Sequence, residues 1–354
     1  DVVIVFDPKG DAGLLRRLYA EARRAGRLDD FTLFHLGYPA LSARYNAIGN
    51  FSRITEVATR IANQLPSEGN SAAFKEFAWR FVNIIARALV ALGRRPDYQQ
   101  VRRYINDIEP LFMEYAQAHL DRYGAERWKA QVDALAGKIT ERNLPPALRG
   151  RNVEAIALMR HLQTQDLYDP VLDGLVSAFK YDKTYFDKIV SSVGPLMEKL
   201  TTGNIADLIS PDYLDETDTR PIFEWMDVIR RKGIVYVGLD ALTDTTVASA
   251  VGNSMFADLV SVAGHIYKHG VSGESTETPP MIALHAVEFN ELIGDEFVPL
   301  LNKAGGAGFQ VTAYTQTWSD VEARIGNRAK AGQVAGNFNT LIMLRVKELA
   351  TAEM

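Results

Sequence analysis

The stretch MIALHAVEFNEL, residues 281–292, decides how the rest of the chain is read. It is apolar from Met281 to Val287 apart from His285, reaches a lone acid at Glu288, and passes at once into a polar, helix-prone segment. A run this short, apolar on both faces and bounded by a polar turn, suits a strand of a parallel sheet covered by helices on both sides.

Five further runs read the same way: VVIVF (2–6), FTLFHL (31–36), GIVYVGL (233–239), GFQVTAYTQ (308–316) and TLIMLRV (340–346). Helical patterns separate several of them, among them 12–26 and 245–270. Strand and helix in alternation predict an α/β layer. The middle differs. From Ser71 to Leu208 the patterns are amphipathic helices with no convincing strand, and glycine falls to 7 in 138 residues against 19 in the other 216. Breaks fall at RRPD (94–97), NLPPALRG (143–150) and YDP (168–170). The expected division is therefore 1–70 for the first part of an α/β core, 71–208 for an all-helical insertion and 209–354 for the rest of the core.

With 354 residues, 47% apolar and 23% charged, the chain has the composition of a globular protein. Its formal charge of −5 gives no bulk attraction to nucleic acid, so any such contact needs local basic clusters. The absence of cysteine excludes disulfides and thiolate metal sites. No apolar run approaches the roughly 20 residues that cross a bilayer, and the best, VNIIARALVAL (82–92), is interrupted by Arg87. The chain opens inside a strand, which reads as a fragment of something longer.

Three strand ends carry chemistry. After VVIVF come Asp7, Pro8, Lys9 and Gly10, at the carboxyl end of a strand, where open α/β sheets bind ligands; the same residues also make a tight turn, with Asp11 capping the helix that follows. Glu288 ends another strand and has the chemistry of a base for water attacking a phosphoryl group. ATPase strands of this kind end in two acids, the first for the metal, and here that place holds Val287, which offers no ligand atom. The plain alternative for Glu288 is a strand end dipping into solvent. Gln316 ends a third strand, where its amide reaches a terminal phosphate or a water. Ser319 and Asp320 read as caps for the next helix, His285 as a core histidine, and AGGAG (304–308) as a flexible turn. No G-x-x-x-x-G-K-[ST] occurs in the chain, so an ATPase reading places that loop upstream of Asp1.

In sequence, VIVFDPKGD, GIVYVGLDALTD with MFADLVSVAGHIYKHG, HAVEFNELIGDEFVPLLNKAGGAGFQVTAYTQTWSD and NTLIMLRVKELATAE resemble the TraD/TraG-type coupling proteins of conjugative type IV secretion. The resemblance runs through the α/β portion and is weaker across the helices. It implies an α/β, RecA-like P-loop ATPase core with a predominantly parallel sheet, plus an inserted all-α domain. It implies a membrane anchor and P-loop upstream, and an FtsK-like hexamer at the cytoplasmic face of the bacterial inner membrane. That hexamer would use ATP and Mg2+ to drive DNA with its relaxase toward the secretion channel. Under the resemblance Glu288 is the catalytic glutamate, Gln316 senses the γ-phosphate, and Asp7 and Lys9 lie in the nucleotide-side DPKG signature. Lys303 stands where many relatives place an arginine finger, and Val287 where they carry the metal-linked aspartate. The chain by itself is expected to be monomeric and to hydrolyse no ATP. The competing expectation is a docking module that recruits relaxase or accessory proteins through the helical domain.

Overall fold

The computed structural model describes residues 1–65, 71–165, 167, 169–181, 183–273, 278–294, 297–345 and 349–352. They form two compact units, one of residues 1–52 and 202–354 and one of residues 53–201.

The first unit is built on β1 (Val2–Asp7), α1 (Ala12–Arg24) and β2 (Phe31–His35) before the helical unit intervenes. The helical unit consists of α2 (Thr55–Ala62), α3 (Ser71–Ala91), α4 (Tyr98–Asn106), α5 (Glu109–Tyr123), α6 (Trp128–Ala136), α7 (Val153–Thr164), α8 (Pro170–Phe179) and α9 (Lys183–Leu200). The first unit then resumes with α10 (Gly203–Ile209), α11 (Trp225–Arg230), β3 (Ile234–Gly238), α12 (Thr245–His269), β4 (Ile282–Ala286), α13 (Phe289–Leu292) and α14 (Phe297–Lys303). It closes with β5 (Phe309–Ala313), α15 (Trp318–Ile325), α16 (Arg328–Ala335) and α17 (Leu349–Ala352).

The five strands form one sheet in the order β2-β3-β1-β4-β5, and every pairing is parallel. The shared sheet expected for VVIVF and MIALHAVEF is present, with Val5 opposite His285. All five residues of β3 are buried, which is why that run shows no alternation. One face packs an aromatic cluster: Phe6 stacks on Phe256 at 4.4 Å and meets Trp225 at 6.1 Å, and Phe256 meets Phe297 edge-on at 5.1 Å. Each fully buried ring contributes about 1.5–3 kcal/mol of transfer free energy, enough together to fix which face of β1 looks inward. By length and apolarity α12 would also serve as a membrane span, but most of its apolar window is buried within the unit.

The topology has a consequence for binding. β1 is central, with β3 and β2 on one side and β4 and β5 on the other. The chain direction across the sheet therefore switches between β1 and β4, and crevices at the carboxyl ends of such a pair are where open α/β sheets take ligands.

Two local expectations are corrected. In the run TLIMLRV, Thr340–Arg345 do not form a strand and have no ladder partner among the described residues, and Val346 lies outside them. A strand is a pairing and not a residue preference, and among the described residues β5, the edge strand on this side, pairs only with β4. The apolar side chains stay in solvent, Ile342 at 80% and Leu344 at 89% exposure. Leu344→Ser should therefore change stability by no more than about 0.5 kcal/mol, measured by urea denaturation; a loss above about 2 kcal/mol would mean that the run is packed in solution. The second correction concerns the cap of α15. Thr317 Oγ1 accepts from the Asp320 N–H at 3.2 Å, so the helix starts at Trp318, and Ser319 and Asp320 lie inside its first turn.

The helical unit holds no strand among its described residues. Its core runs through Phe81, Val82, Ile85 and Leu89 of α3, and through Phe112 stacked on Phe179 at 5.0 Å. Asp97, Asn152 and Asp169 cap α4, α7 and α8 with side-chain oxygens, which places the three helix starts directly after the sequence breaks.

Candidate functional site

The loop after β1 is organised around Asp7. Its carboxylate is buried, with Oδ1 accepting from the N–H groups of Lys9 and Gly10, both at 3.1 Å, while Oδ2 accepts from Asp11 N–H at 2.7 Å and from the Tyr236 hydroxyl at 2.6 Å. Gly10 takes φ of +70°, the left-handed conformation that costs glycine little, and this reverses the chain into α1. Asp11 then caps α1 through the N–H groups of Gly13 and Leu14. Asp7 thus spends its acceptor capacity on its own loop and on Tyr236 of β3. Burial, then the hydrogen bond to the Asp7 carboxylate and its charge, push the Tyr236 hydroxyl pKa well up, so it acts as a donor throughout the physiological range.

Glu288 follows β4 with φ 45° and ψ 52°, a left-handed conformation rare for a glutamate. The backbone on both sides is pinned: Val287 N–H donates to Phe6 O and Phe289 N–H to Tyr314 O, each at 2.9 Å. Held between β1 and β5, the kinked residue turns its carboxylate toward the loops after both strands. Lys9 Nζ donates to Glu288 Oε1 at 2.9 Å, and Gln316 Nε2 donates to the same oxygen at 2.9 Å. Oε2 makes no hydrogen bond among the described residues. Residues from three separate strand ends, the farthest 307 positions apart, meet on one oxygen at the switch point. Strained backbone of this kind, of order 1 kcal/mol or more, is tolerated where the surrounding structure over-determines it, and it clusters at functional sites.

The pair's electrostatics follow from its exposure. Partial burial pushes the Glu288 carboxyl up, but the hydrogen bonds from Lys9 and Gln316 and the Lys9 charge outweigh it, leaving the group below the ordinary glutamate value. The same hydrogen bond, then the charge of Glu288, holds the Lys9 ammonium above its usual range. Glu288 is mostly shielded at 19% side-chain exposure, whereas Lys9 is half-exposed at 47%. The pair should therefore contribute no more than about 1 kcal/mol. Its pH window follows from the two directions. A depressed carboxyl contributes stability above the unfolded value of about 4.3 and loses it as pH falls through the folded value. A raised lysine contributes below about 10.4 and loses it as pH rises through its folded value. Wild type minus Lys9→Met, from urea midpoints across pH, should be largest between about pH 5 and 10 and vanish in acid; a flat difference would exclude an ionic origin.

The other sequence candidates fall elsewhere. His285 is half-buried in β4, stacked on Tyr314 with its Nδ1 3.0 Å from the Tyr314 hydroxyl, and burial pushes its pKa down. Lys303 ends α14 on the approach to the amino end of β5, whereas Gln316 follows its carboxyl end, and Lys303 forms no ion pair among the described residues. Gly305–Ala307 is a single 3-10 turn, and Gly308 follows it at φ +90°, where a Cβ would fall 2.3 Å from Pro280 O. The residues present do not fit a magnesium ion. Asp7 is committed to its loop, Val287 has no donor, and no group of three or more His, Asp or Glu converges among the described residues. For a terminal phosphate, by contrast, Lys9 and Gln316 supply a cation and an amide donor beside a carboxylate.

The resemblance assigned Glu288, Lys9 and Gln316 to one nucleotide site, but nothing in the sequence indicated that Lys9 and Gln316 donate to the same Glu288 oxygen. Sequence reasoning also missed Tyr236 and His35. The one available signal was a polar side chain inside an otherwise apolar run, in GIVYVGL and FTLFHL.

Residues 287–354 match the family described as the TraM recognition site of TraD and TraG, a span that begins beside Glu288 and includes Gln316. Among solved structures, the chain is similar to the bacterial conjugative coupling protein TrwBdeltaN70 in its unbound monoclinic form, with 11% identity over 95% of this chain and 66% of that one and a TM-score of 0.45. It is similar also to the plasmid coupling protein TrwB in complex with ADP and Mg2+, with 12% identity over 95% of this chain and 68% of that one and a TM-score of 0.46. The chain thus spans about two thirds of the length of these proteins. No curated protein matches it.

Proposed function

We propose that this chain, whose residues 287–354 belong to the TraM-recognition family of TraD and TraG, is the motor part of a conjugative coupling protein. In this reading it is an ATP-driven DNA translocase that links a relaxase-bound DNA to the type IV secretion channel. The observation that carries the proposal is the meeting of Lys9, Glu288 and Gln316 at the switch point of a parallel sheet.

The chemistry assigned to these residues follows from their protonation and aim. Glu288 is ionised at neutral pH, with Oε1 fixed by two donors and Oε2 without a hydrogen bond among the described residues. Oε2 would accept a proton from a water attacking the terminal phosphoryl group. The Gln316 amide and the Lys9 ammonium would offer their remaining N–H groups to the phosphate oxygens, where charge builds in the transition state. The amides and lysine that cradle the β- and γ-phosphates belong to a phosphate loop outside this chain. The strand carrying that loop would find a place on the outer edge of β5, unpaired among the described residues, beside the exposed run Leu341–Leu344. ATP and Mg2+ are thus assigned to the longer protein, as are a homo-hexamer, DNA contacts and attachment to the inner membrane. Residues 53–201 would form the helical lobe of that motor.

A second reading has its own observation. The match of residues 287–354 to the TraM recognition site of TraD and TraG supports docking of a TraM-like relaxosome protein on that span, beside any docking through the helical lobe. Motor and docking roles occupy one chain without conflict.

The test is steady-state ATP hydrolysis by the protein including its upstream phosphate loop, with and without DNA. Hydrolysis that rises when DNA is added is expected. A protein that binds DNA and ATP yet shows no turnover in either condition would overturn the motor reading and leave the docking one.

A further inference from the structure

His35, the last residue of β2, lies buried beneath the loop that carries Lys9, enclosed by glycines from three segments. A Cβ at Gly238 would fall 2.3 Å from its Cδ2, one at Gly10 2.5 Å from its Nε2, and one at Gly37 3.1 Å from its Cε1. No other residue fits at Gly10 or Gly238 while the ring stays where it is. The ring also has a fixed mount. His35 N–H donates to Ser42 Oγ at 2.8 Å, Ser42 Oγ donates back toward His35 O at 3.1 Å, and the imidazole packs on Tyr38 at 4.5 Å and Tyr236 at 6.3 Å.

Its two nitrogens have different tasks. Gly37 N–H points at Nδ1 at 3.0 Å, so Nδ1 is the acceptor. Nε2, 3.3 Å from Gly10 O, is then the protonated nitrogen and donates to that carbonyl. Gly10 is the residue after Lys9, and its amide is bound by Asp7 on the other side of the loop. The loop is thus gripped from two directions, by Asp7 at the amides and by His35 at the carbonyl.

We infer that His35 is a positioning residue: through its Nε2–H to the Gly10 carbonyl it holds the loop after β1 so that Lys9 reaches Glu288. The inference rests on reading the Lys9–Glu288 pair as part of the working site. Without that grip the loop keeps its Asp7 bonds but loses its fixed height above the sheet. Lys9, half-exposed on a flexible stem, then no longer holds Glu288 Oε1. A side chain that merely filled the space would not depend on which of its atoms is a donor.

The readout is the titration of the Glu288 carboxyl in the full chain, followed by carbon NMR of δ-labelled glutamate and assigned by its disappearance in Glu288→Gln. Lys9→Met sets the reference, raising the titration toward the ordinary glutamate value. His35→Ala should reproduce most of that rise, as should Gly10→Ala, which meets the ring. His35→Gln, whose amide nitrogen reaches the place of Nε2, should restore the depressed titration, whereas His35→Asn, which replaces only the Nδ1 contact, should not. A folded His35→Ala that titrates like wild type, while Lys9→Met shifts, overturns the role of His35 alone. Equal shifts in His35→Gln and His35→Asn overturn it too, since packing and not the donated bond would then be what matters. If His35→Ala does not fold, the comparison of Gln with Asn decides on the same terms. No shift in Lys9→Met overturns the pair itself, and the proposal with it.

Discussion

Replacing Asp7 by alanine is expected to cost about 3–4 kcal/mol of folding stability, a large effect for one short side chain. The cost comes from what would be left behind. Asp7 accepts from three backbone N–H groups and the Tyr236 hydroxyl, and it is buried. A net hydrogen bond to a charged group contributes about 1.5–3 kcal/mol, and an unpaired buried donor costs about 1–3. Four such terms do not add, because the freed loop moves to recover water at its exposed amides. The Tyr236 hydroxyl, fully buried in β3, cannot reach water and keeps only the longer bond to Asp11 O at 3.2 Å. Asp7→Asn keeps one acceptor oxygen but turns an NH2 toward donors, so it should fall between wild type and alanine. Urea denaturation of the three proteins measures the series. A loss under about 1 kcal/mol for alanine would show that the loop does not need the carboxylate, returning Asp7 to the ligand-facing role its sequence position suggests.

That contrast shows what could be read from the sequence and what could not. The five strands were legible because a parallel sheet covered on both faces demands continuous apolar runs, as in VVIVF and IVYVG. The sixth run, TLIMLRV, has the same composition and failed. Composition says that a segment suits a pleated, buried surface, but only a neighbouring edge makes it a strand, and the edge partner is a property of the whole fold. Caps were legible to within three residues: Asp11 caps α1 as read, while Thr317, and not Ser319 or Asp320, caps α15. At the site, the residue types were legible and their geometry was not. Lys9 and Glu288 lie 279 positions apart, and no local pattern announces that pair. Nor does any announce the left-handed backbone at Glu288, because a glutamate there is disfavoured by its own propensity and held by contacts from β1 and β5.

Glu288→Gln, in the protein that includes the phosphate loop, should lower the steady-state ATPase rate by roughly 10²- to 10⁴-fold, the range a positioned general base supplies. Binding of ATP should stay within a few-fold of wild type, because the base acts on the transition state and not on the bound ground state. The hydrogen bonds make this substitution sharper than most. Both Lys9 and Gln316 donate to Oε1, so glutamine must keep its carbonyl oxygen there and turn its NH2 to the place of Oε2. The framework survives, and a donor stands where the water needs an acceptor. Lys9→Met has the opposite design: the carboxylate remains and regains basicity, but one of its two anchors is gone. Its rate should fall less, by about tenfold, with the acid limb of the pH–rate profile moved upward as Glu288 returns toward the ordinary glutamate value. Val287→Asp on the wild-type background should raise turnover if a second acid beside Glu288 supplies the oxygen ligand that valine lacks. These three directions separate base, anchor and metal link. A Glu288→Gln protein that hydrolysed ATP at the wild-type rate would remove the base from Glu288 and, with it, the mechanism built on the shared Oε1.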